Sequence, residues 1–287
     1  MFHGRYRQRA ATMKTITFVG GFLRTGTSLL QSILCQGRDT NPMIGEVIYL
    51  RGLVETYARC LYMFDQHARF YFDDDRHLGE FCGNQVRQLL DLTRQRYGNP
   101  AHLILKHPQL TPNFPLLSEL LPEARFVVIL RDPRDAVASA VRAGRKGAAE
   151  FAGSSPTRIA ADYLSYYQRC FEGPNADFHQ KTLYVKYEHL VRDPLSVTSE
   201  LQAFLGIDLG GFHPLKETAD EDWLRTGSQS SGQPFHSPHY GKAVTESRVG
   251  QYADALNKRD IRKIETDCRM LLDILEVPSP TFTVDPP

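Results

Sequence analysis

Two kinds of hydrophobic pattern alternate along the chain. Short runs that are apolar on both faces, the mark of buried parallel strands, fall at residues 15–19, 103–105, 126–130 and 183–185. Between them lie longer stretches whose apolar positions recur three and four residues apart, the spacing of a helix with one buried face. After the first strand, Leu29, Leu30, Ile33 and Leu34 predict such a helix, started by Ser/Thr residues and stopped at Gly37. Residues 46–97 predict two or more helices broken by the acidic turn Asp73, Asp74 and Asp75, an insertion long enough to wall a pocket. Helices are also expected over 157–172 and 256–275, and residues 208–250, rich in Gly, Ser, Pro and His, read as a long functional loop. Strands alternating with helices give an α/β chain with a parallel sheet flanked by helices.

The 287 residues are a length that α/β domains reach without splitting. One domain is expected over 15–276, between a basic arm over 1–14 and a proline-rich tail over 277–287. Met13, just ahead of the first strand, is a second candidate start. Hydrophobic residues at 41% and charged residues at 23% suit a globular core rather than disorder. The 34 basic and 33 acidic residues leave a formal charge of +1, which gives no global field for a nucleic acid or an anionic membrane. Any anion site must be local. No run reaches the roughly 18 apolar residues of a membrane span. Five widely spaced cysteines without a C-x-x-C pair, and no N-x-[ST] site, favour reduced thiols and a cytoplasmic location.

The sharpest local signal is TFVGGFLRTGTSLL, where a strand turns through glycines into a helix, so that free backbone N–H groups converge on one point. From Gly21 the spacing reads G-x-x-x-x-G-T-S, the Walker A pattern with Thr27 in place of its lysine. The nearest cation is Arg24, which with Thr25, Gly26, Thr27 and Ser28 supplies donors for one phosphate. A second anion site is expected in FVVILRDPRDAVASAVRAG. There Arg131 ends a buried strand, Asp132 and Pro133 start a helix, and Ser139 lies about two turns in. Ligands of open α/β sheets bind beyond such strand ends, which brings Arg131 alongside the glycine loop.

The ordered set GFLRTGTSLL, LPEARFVVILRDPRDAVASAV, LYVKYEHLVRDP and LQAFLGI resembles the sulfotransferase family, closest to its tyrosylprotein type and small bacterial relatives, over roughly residues 15–255. The resemblance implies a P-loop NTPase-like three-layer fold and 3′-phosphoadenosine-5′-phosphosulfate as sulfuryl donor, with no metal required. It implies that Arg24, Thr25, Gly26, Thr27 and Ser28 hold the 5′-phosphosulfate, that Arg131 and Ser139 hold the 3′-phosphate, and that Tyr187 helps bind the nucleotide. Glu46, in a G-E context, falls where the tyrosylprotein type has a catalytic glutamate. Lys106, before His107 and Pro108, matches the lysine that neutralises the leaving oxygen. His107 is the alternative base, although cytosolic relatives place their histidine two positions after the lysine, not one. In the late loop, Gly232 to Ser237 fits a G-x-P-x-x-S-like pattern with Ser237 on the nucleotide. Gln251 stands where Lys or Arg is expected, which leaves Lys242 or Arg248 as the substitute.

Other signals are read as structure. His236 and His239 lack a third metal ligand at sensible spacing. Tyr57, Tyr62, Phe64, Phe70, Tyr71 and Phe72 are expected as core and pocket wall, and Arg142 to Lys146 as a solvated basic turn. The acceptor is a small-molecule or peptide hydroxyl, and the sequence carries no signal for an oligomeric state. Two competing functions stay open. One is a P-loop kinase or NTPase, which the missing Walker lysine opposes. The other is a non-catalytic nucleotide binder, which would leave Glu46 and Lys106 facing solvent away from the anion loop.

Overall fold

The computed structural model describes residues 14–173, 175–213 and 243–284. Its sheet runs in the order β2-β1-β3-β4-β5. Strands β1 (Thr15–Gly20), β2 (His102–Lys106), β3 (Ala124–Leu130) and β4 (Thr182–Lys186) are parallel and fall on the four expected apolar runs. Strand β5 (Thr281–Phe282) adds antiparallel to β4, and its Phe282 ring stacks on Tyr184 at 4.9 Å. The residues expected as a loose tail after 276 therefore reach back into the sheet, because Phe282 is an apolar side chain with a partner to bury against.

Parallel strands need covered faces. The helices that supply the cover are α1 (Thr27–Leu34), α2 (Ile48–Tyr62), α3 (Asp75–Arg96), α4 (Phe114–Leu120), α5 (Pro133–Arg145), α6 (Pro156–Phe171), α7 (Ala176–Gln180), α8 (Tyr187–Arg192), α9 (Pro194–Leu205), α10 (Lys258–Asp267) and α11 (Arg269–Glu276). Phe18, Leu105, Phe114, Phe126 and Tyr167 fill one core, and Val19, Leu30, Ile104, Val127 and Leu201 the other. The alternation of side chains along each strand separates the two, giving three layers.

Local chemistry sets the helix ends. Asp74 accepts from the His77 amide at 2.7 Å and starts α3 within the acidic turn; Asp132, followed by Pro133, accepts from the Arg134 amide and starts α5. Helix α1 ends at Leu34, about a turn before Gly37. The stretch expected as one helix over 256–275 is two. The break falls at Cys268, whose buried thiol donates to the Ala160 carbonyl of α6 at 3.8 Å. Among the described residues no helix is long and apolar enough to cross a membrane.

Candidate functional site

All four parallel strands end on the same side of the sheet, and each delivers one piece of the site. Strand β1 runs into the glycine loop, β2 ends in Lys106, β3 is followed by Arg131, and β4 is followed by Tyr187. The loop bends through Gly21 at φ 135° and Gly26 at φ 105°. A Cβ at Gly26 would stand 2.7 Å from the Tyr187 ring, so this close approach as well as the turn requires glycine. Gly21 N–H donates to Thr111 at 2.8 Å and Phe22 N–H to the Tyr167 hydroxyl at 3.1 Å, which pins the loop from behind. The buried Thr25 hydroxyl donates to the Phe22 carbonyl at 2.6 Å, so its proton shapes the loop. Helix α1 then starts at Thr27 with Gly26 as its cap, no side-chain cap bond and no acid in its first turn. Its positive end carries no internal anion.

Around Arg131 three further arginines converge. Its Nη1 donates to the Arg24 carbonyl at 3.1 Å and its Nη2 to the Arg248 carbonyl at 2.5 Å, and the guanidinium lies 4.5 Å from the Tyr187 ring centre. Its Nε is buried with no partner. Arg24 Nε reaches the Ser139 hydroxyl at 3.5 Å. Arg142, half-buried on α5, donates to the Gln251 carbonyl at 3.4 Å, while Arg248 reaches the Gln251 side chain at 3.1 Å. Burial, then the charges of Arg248 and Arg131, hold the Arg142 guanidinium below its ordinary range. Asp135 is the nearby counter-charge. It lies 3.9 Å from Arg131, accepts from Gly250 N–H at 2.7 Å, and is pushed upward, mainly by burial. A like-charge cluster with an orphan buried donor is chemically suited to a phosphate.

At the β2 edge, Asn41 imitates a strand: its Oδ1 accepts from Ile104 N–H at 2.6 Å and its Nδ2 donates to the Ile104 carbonyl at 3.0 Å. Val47 N–H then donates to the Lys106 carbonyl at 3.3 Å, which fixes Glu46 beside the lysine. Lys106 Nζ donates to the Glu46 carboxylate at 2.9 Å and to the Ser28 hydroxyl at 3.2 Å. The lysine side chain is 7% exposed and the glutamate 39%. One ammonium thus joins the first turn of α1 to a carboxylate that opens to solvent. Next to it His107 is buried, its Nδ1 without a partner, and burial holds the imidazole below its ordinary range.

The structure therefore gathers Arg24, Thr25, Gly26, Thr27, Ser28, Glu46, Lys106, Arg131, Ser139, Tyr187 and Arg248 at one sheet end, with His107 just behind. Ser237 and Lys242 lie outside the described residues, as do residues 1–13 of the basic arm. Arg142 was expected in a solvated turn. It belongs instead to α5, whose Asp135, Ser139 and Arg142 share one face at helical spacing, the signal that would have found it. The aromatic cluster divides: Tyr57 is buried, whereas Tyr62, Phe70 and Tyr71 are exposed. Sequence reasoning also missed the hydroxyls that fix the loop, Thr111 and Tyr167, and the half-buried Glu188, which accepts from Asp132 N–H at 2.9 Å. Among the described residues no cluster of three His, Cys, Asp or Glu side chains gathers to hold a metal ion.

Comparison with known proteins agrees with this fold. Residues 17–210 match the model of the sulfotransferase family. Carbohydrate sulfotransferase 5 of Mus musculus is 26% identical over 159 residues, 49% of this chain and 38% of that protein, so the match spans little more than a third of that relative. The sulfotransferase domain from the curacin biosynthetic pathway superposes with a TM-score of 0.58 at 16% identity, covering 90% of this chain and 99% of that domain. The sulfotransferase domain from the Synechococcus PCC 7002 olefin synthase gives 0.51 at 18% identity, covering 90% and 97%. Both share the fold.

Proposed function

Because this chain belongs to the sulfotransferase family, we propose that it transfers a sulfuryl group to an acceptor hydroxyl. Bound 3′-phosphoadenosine-5′-phosphosulfate would supply that group, with adenosine 3′,5′-bisphosphate as the leaving part. The observation that carries the reading is Lys106, bonded at once to Ser28 in the anion loop and to Glu46.

The roles follow from position. The α1 N-terminus with Arg24, Gly26, Thr27 and Ser28 would hold the 5′ side, while Thr25, whose N–H and hydroxyl both donate to the Phe22 carbonyl, shapes the loop from within. Arg131, with its unpartnered Nε, and Ser139 would hold the 3′-phosphate, Tyr187 backing the guanidinium and Arg248 closing over it. Lys106 neutralises negative charge gathering at Ser28 and the loop. Glu46, facing solvent, accepts the acceptor's proton as the new oxygen–sulfur bond forms. Burial away from solvent disfavours His107 for that task. A magnesium-dependent triphosphatase is disfavoured by Thr27 at the Walker lysine position, and a non-catalytic nucleotide binder by Lys106, which is buried against the loop rather than turned to solvent away from it.

Calorimetry with adenosine 3′,5′-bisphosphate, set against ATP with and without magnesium, tests the nucleotide; label transfer from the sulfuryl donor tests the chemistry. The bisphosphate binds without magnesium and more tightly than ATP, and Glu46→Gln lowers kcat by about 10²- to 10⁴-fold while bisphosphate affinity holds. Tight magnesium-dependent ATP binding with no bisphosphate binding would overturn the reading.

A further inference from the structure

Beside Glu46 a half-open cleft of about 230 Å³ lies between the start of α2, the later half of α3 and β2. Its inner surface is made by the buried Leu50, Leu90 and Leu105, and its sides by Val47 and Leu89. Thr93 also lines it, but its hydroxyl donates to the Leu89 carbonyl at 2.8 Å within α3. Glu46 is the carboxylate on this lining. Ile48 and Tyr49 stand at the same cavity 71% and 69% exposed, large side chains that the fold itself leaves in water.

We propose that this cavity holds the apolar body of the acceptor, an aromatic or alkyl alcohol whose hydroxyl is presented to Glu46. The assignment rests on the reading of Glu46 as the base. A cavity of about 150 Å³ holds one benzene ring, so this one takes about nine carbon atoms, a substituted phenol or a medium-chain alcohol. Apart from Glu46, Tyr49 and Thr93 its walls are apolar, so a sugar would leave most of its hydroxyls unpaired, and unpaired hydroxyls select strongly against such a ligand. On transfer, the acceptor O–H gives its proton to the Glu46 carboxylate, the oxygen–sulfur bond forms, and the bond from sulfur to the leaving phosphate oxygen breaks.

The test uses the full chain with 4-propylphenol and 1-octanol as probes, against N-acetylglucosamine and galactose. Leu89→Phe and Thr93→Phe fill the cavity from the helix that walls it. Bisphosphate affinity, measured first by calorimetry, reports on folding and on the nucleotide site together. Both alcohols are sulfated and the sugars are not, and each filling variant raises the alcohol KM at least tenfold while bisphosphate affinity stays as in the wild type. The assignment is overturned if the sugars are the better acceptors, if the filled variants keep the wild-type KM, or if neither alcohol is sulfated by a chain that binds the bisphosphate. A chain that fails to bind the bisphosphate sinks the proposed function instead. Direct titration of 4-propylphenol into wild type and Thr93→Phe then decides the cavity alone, binding lost in the variant upholding it and no wild-type binding rejecting it.

Discussion

Replacing Arg131 by lysine keeps a positive charge at the end of β3 and removes the guanidinium fork. In the wild type Nη1 and Nη2 are engaged by the Arg24 and Arg248 carbonyls, and the buried Nε has no partner. A charge-assisted hydrogen bond contributes about 1.5–3 kcal/mol. Losing the one that Nε would give a 3′-phosphate weakens adenosine 3′,5′-bisphosphate binding about 13- to 160-fold, at 1.36 kcal/mol per decade. Adenosine 5′-monophosphate lacks that phosphate, so its affinity falls by no more than about twofold, the scatter expected between independent sites. The free chain also loses one carbonyl bond and the contact with Tyr187, together about 1–2 kcal/mol, a drop of a few degrees in Tm. Calorimetry of both nucleotides at one fixed salt concentration, with a thermal melt of each protein, reads all three quantities. An equal loss for both nucleotides would refute the reasoning, because Arg131 would then be shaping the whole loop rather than reading the 3′ position.

Three further outcomes are expected. Gly26→Ala forces a side chain into a left-handed turn and against the Tyr187 ring, so it lowers stability by at least about 1–2 kcal/mol and bisphosphate affinity by more than about tenfold, read by denaturant unfolding and calorimetry. Asn41→Ala removes both bonds to Ile104, costs about 2 kcal/mol in denaturant unfolding, and lowers kcat at unchanged bisphosphate affinity because Glu46 loses its placement. Burial pushes the Glu188 carboxyl from its ordinary 4.5 up to about 7. A pKa raised in the folded state means that folding takes up a proton there. The stabilising contribution is therefore present below about pH 4.5 and lost as pH rises through about 7, by at most about 3 kcal/mol. Glu188→Gln, which keeps an acceptor for the Asp132 amide, removes this decline from a pH series of unfolding curves. A decline that persists in the variant assigns it to another group.

The parts of the fold that depend on neighbours in sequence were readable before the structure. Apolar runs became β1 to β4, and Asp132-Pro133 started α5, because burial on both faces and helix capping are written within a few residues. The glycine loop was readable for the same reason. Parts that depend on distant pairing were not. Glu46 meets Lys106 through Asn41 and its two bonds to Ile104, and a lone asparagine before a proline looks like any turn. Arg142 looked solvated because Gly144 and Gly147 follow it, whereas α5 runs on to Arg145 and turns the side chain toward Arg131 and Arg248. Phe282 joined the sheet although prolines surround it, since a two-residue edge strand has no periodicity to detect. Aromatic composition did not predict burial either, because Tyr62, Phe70 and Tyr71 lie on the side of their segment away from the core.

Arg131 takes its second carbonyl from Arg248, Asp135 takes its amide from Gly250, and Arg134 takes its carboxylate from Glu265 at 2.8 Å. Each bond crosses more than a hundred positions of chain. During synthesis the glycine loop and four strands have emerged well before these partners, and the family match itself stops at residue 210. A chain ending there carries the four parallel strands but lacks β5, and leaves a buried aspartate and an arginine cluster without their closing partners. The arginine cluster is thus closed from far down the chain, and its final arrangement waits on residues 248–265.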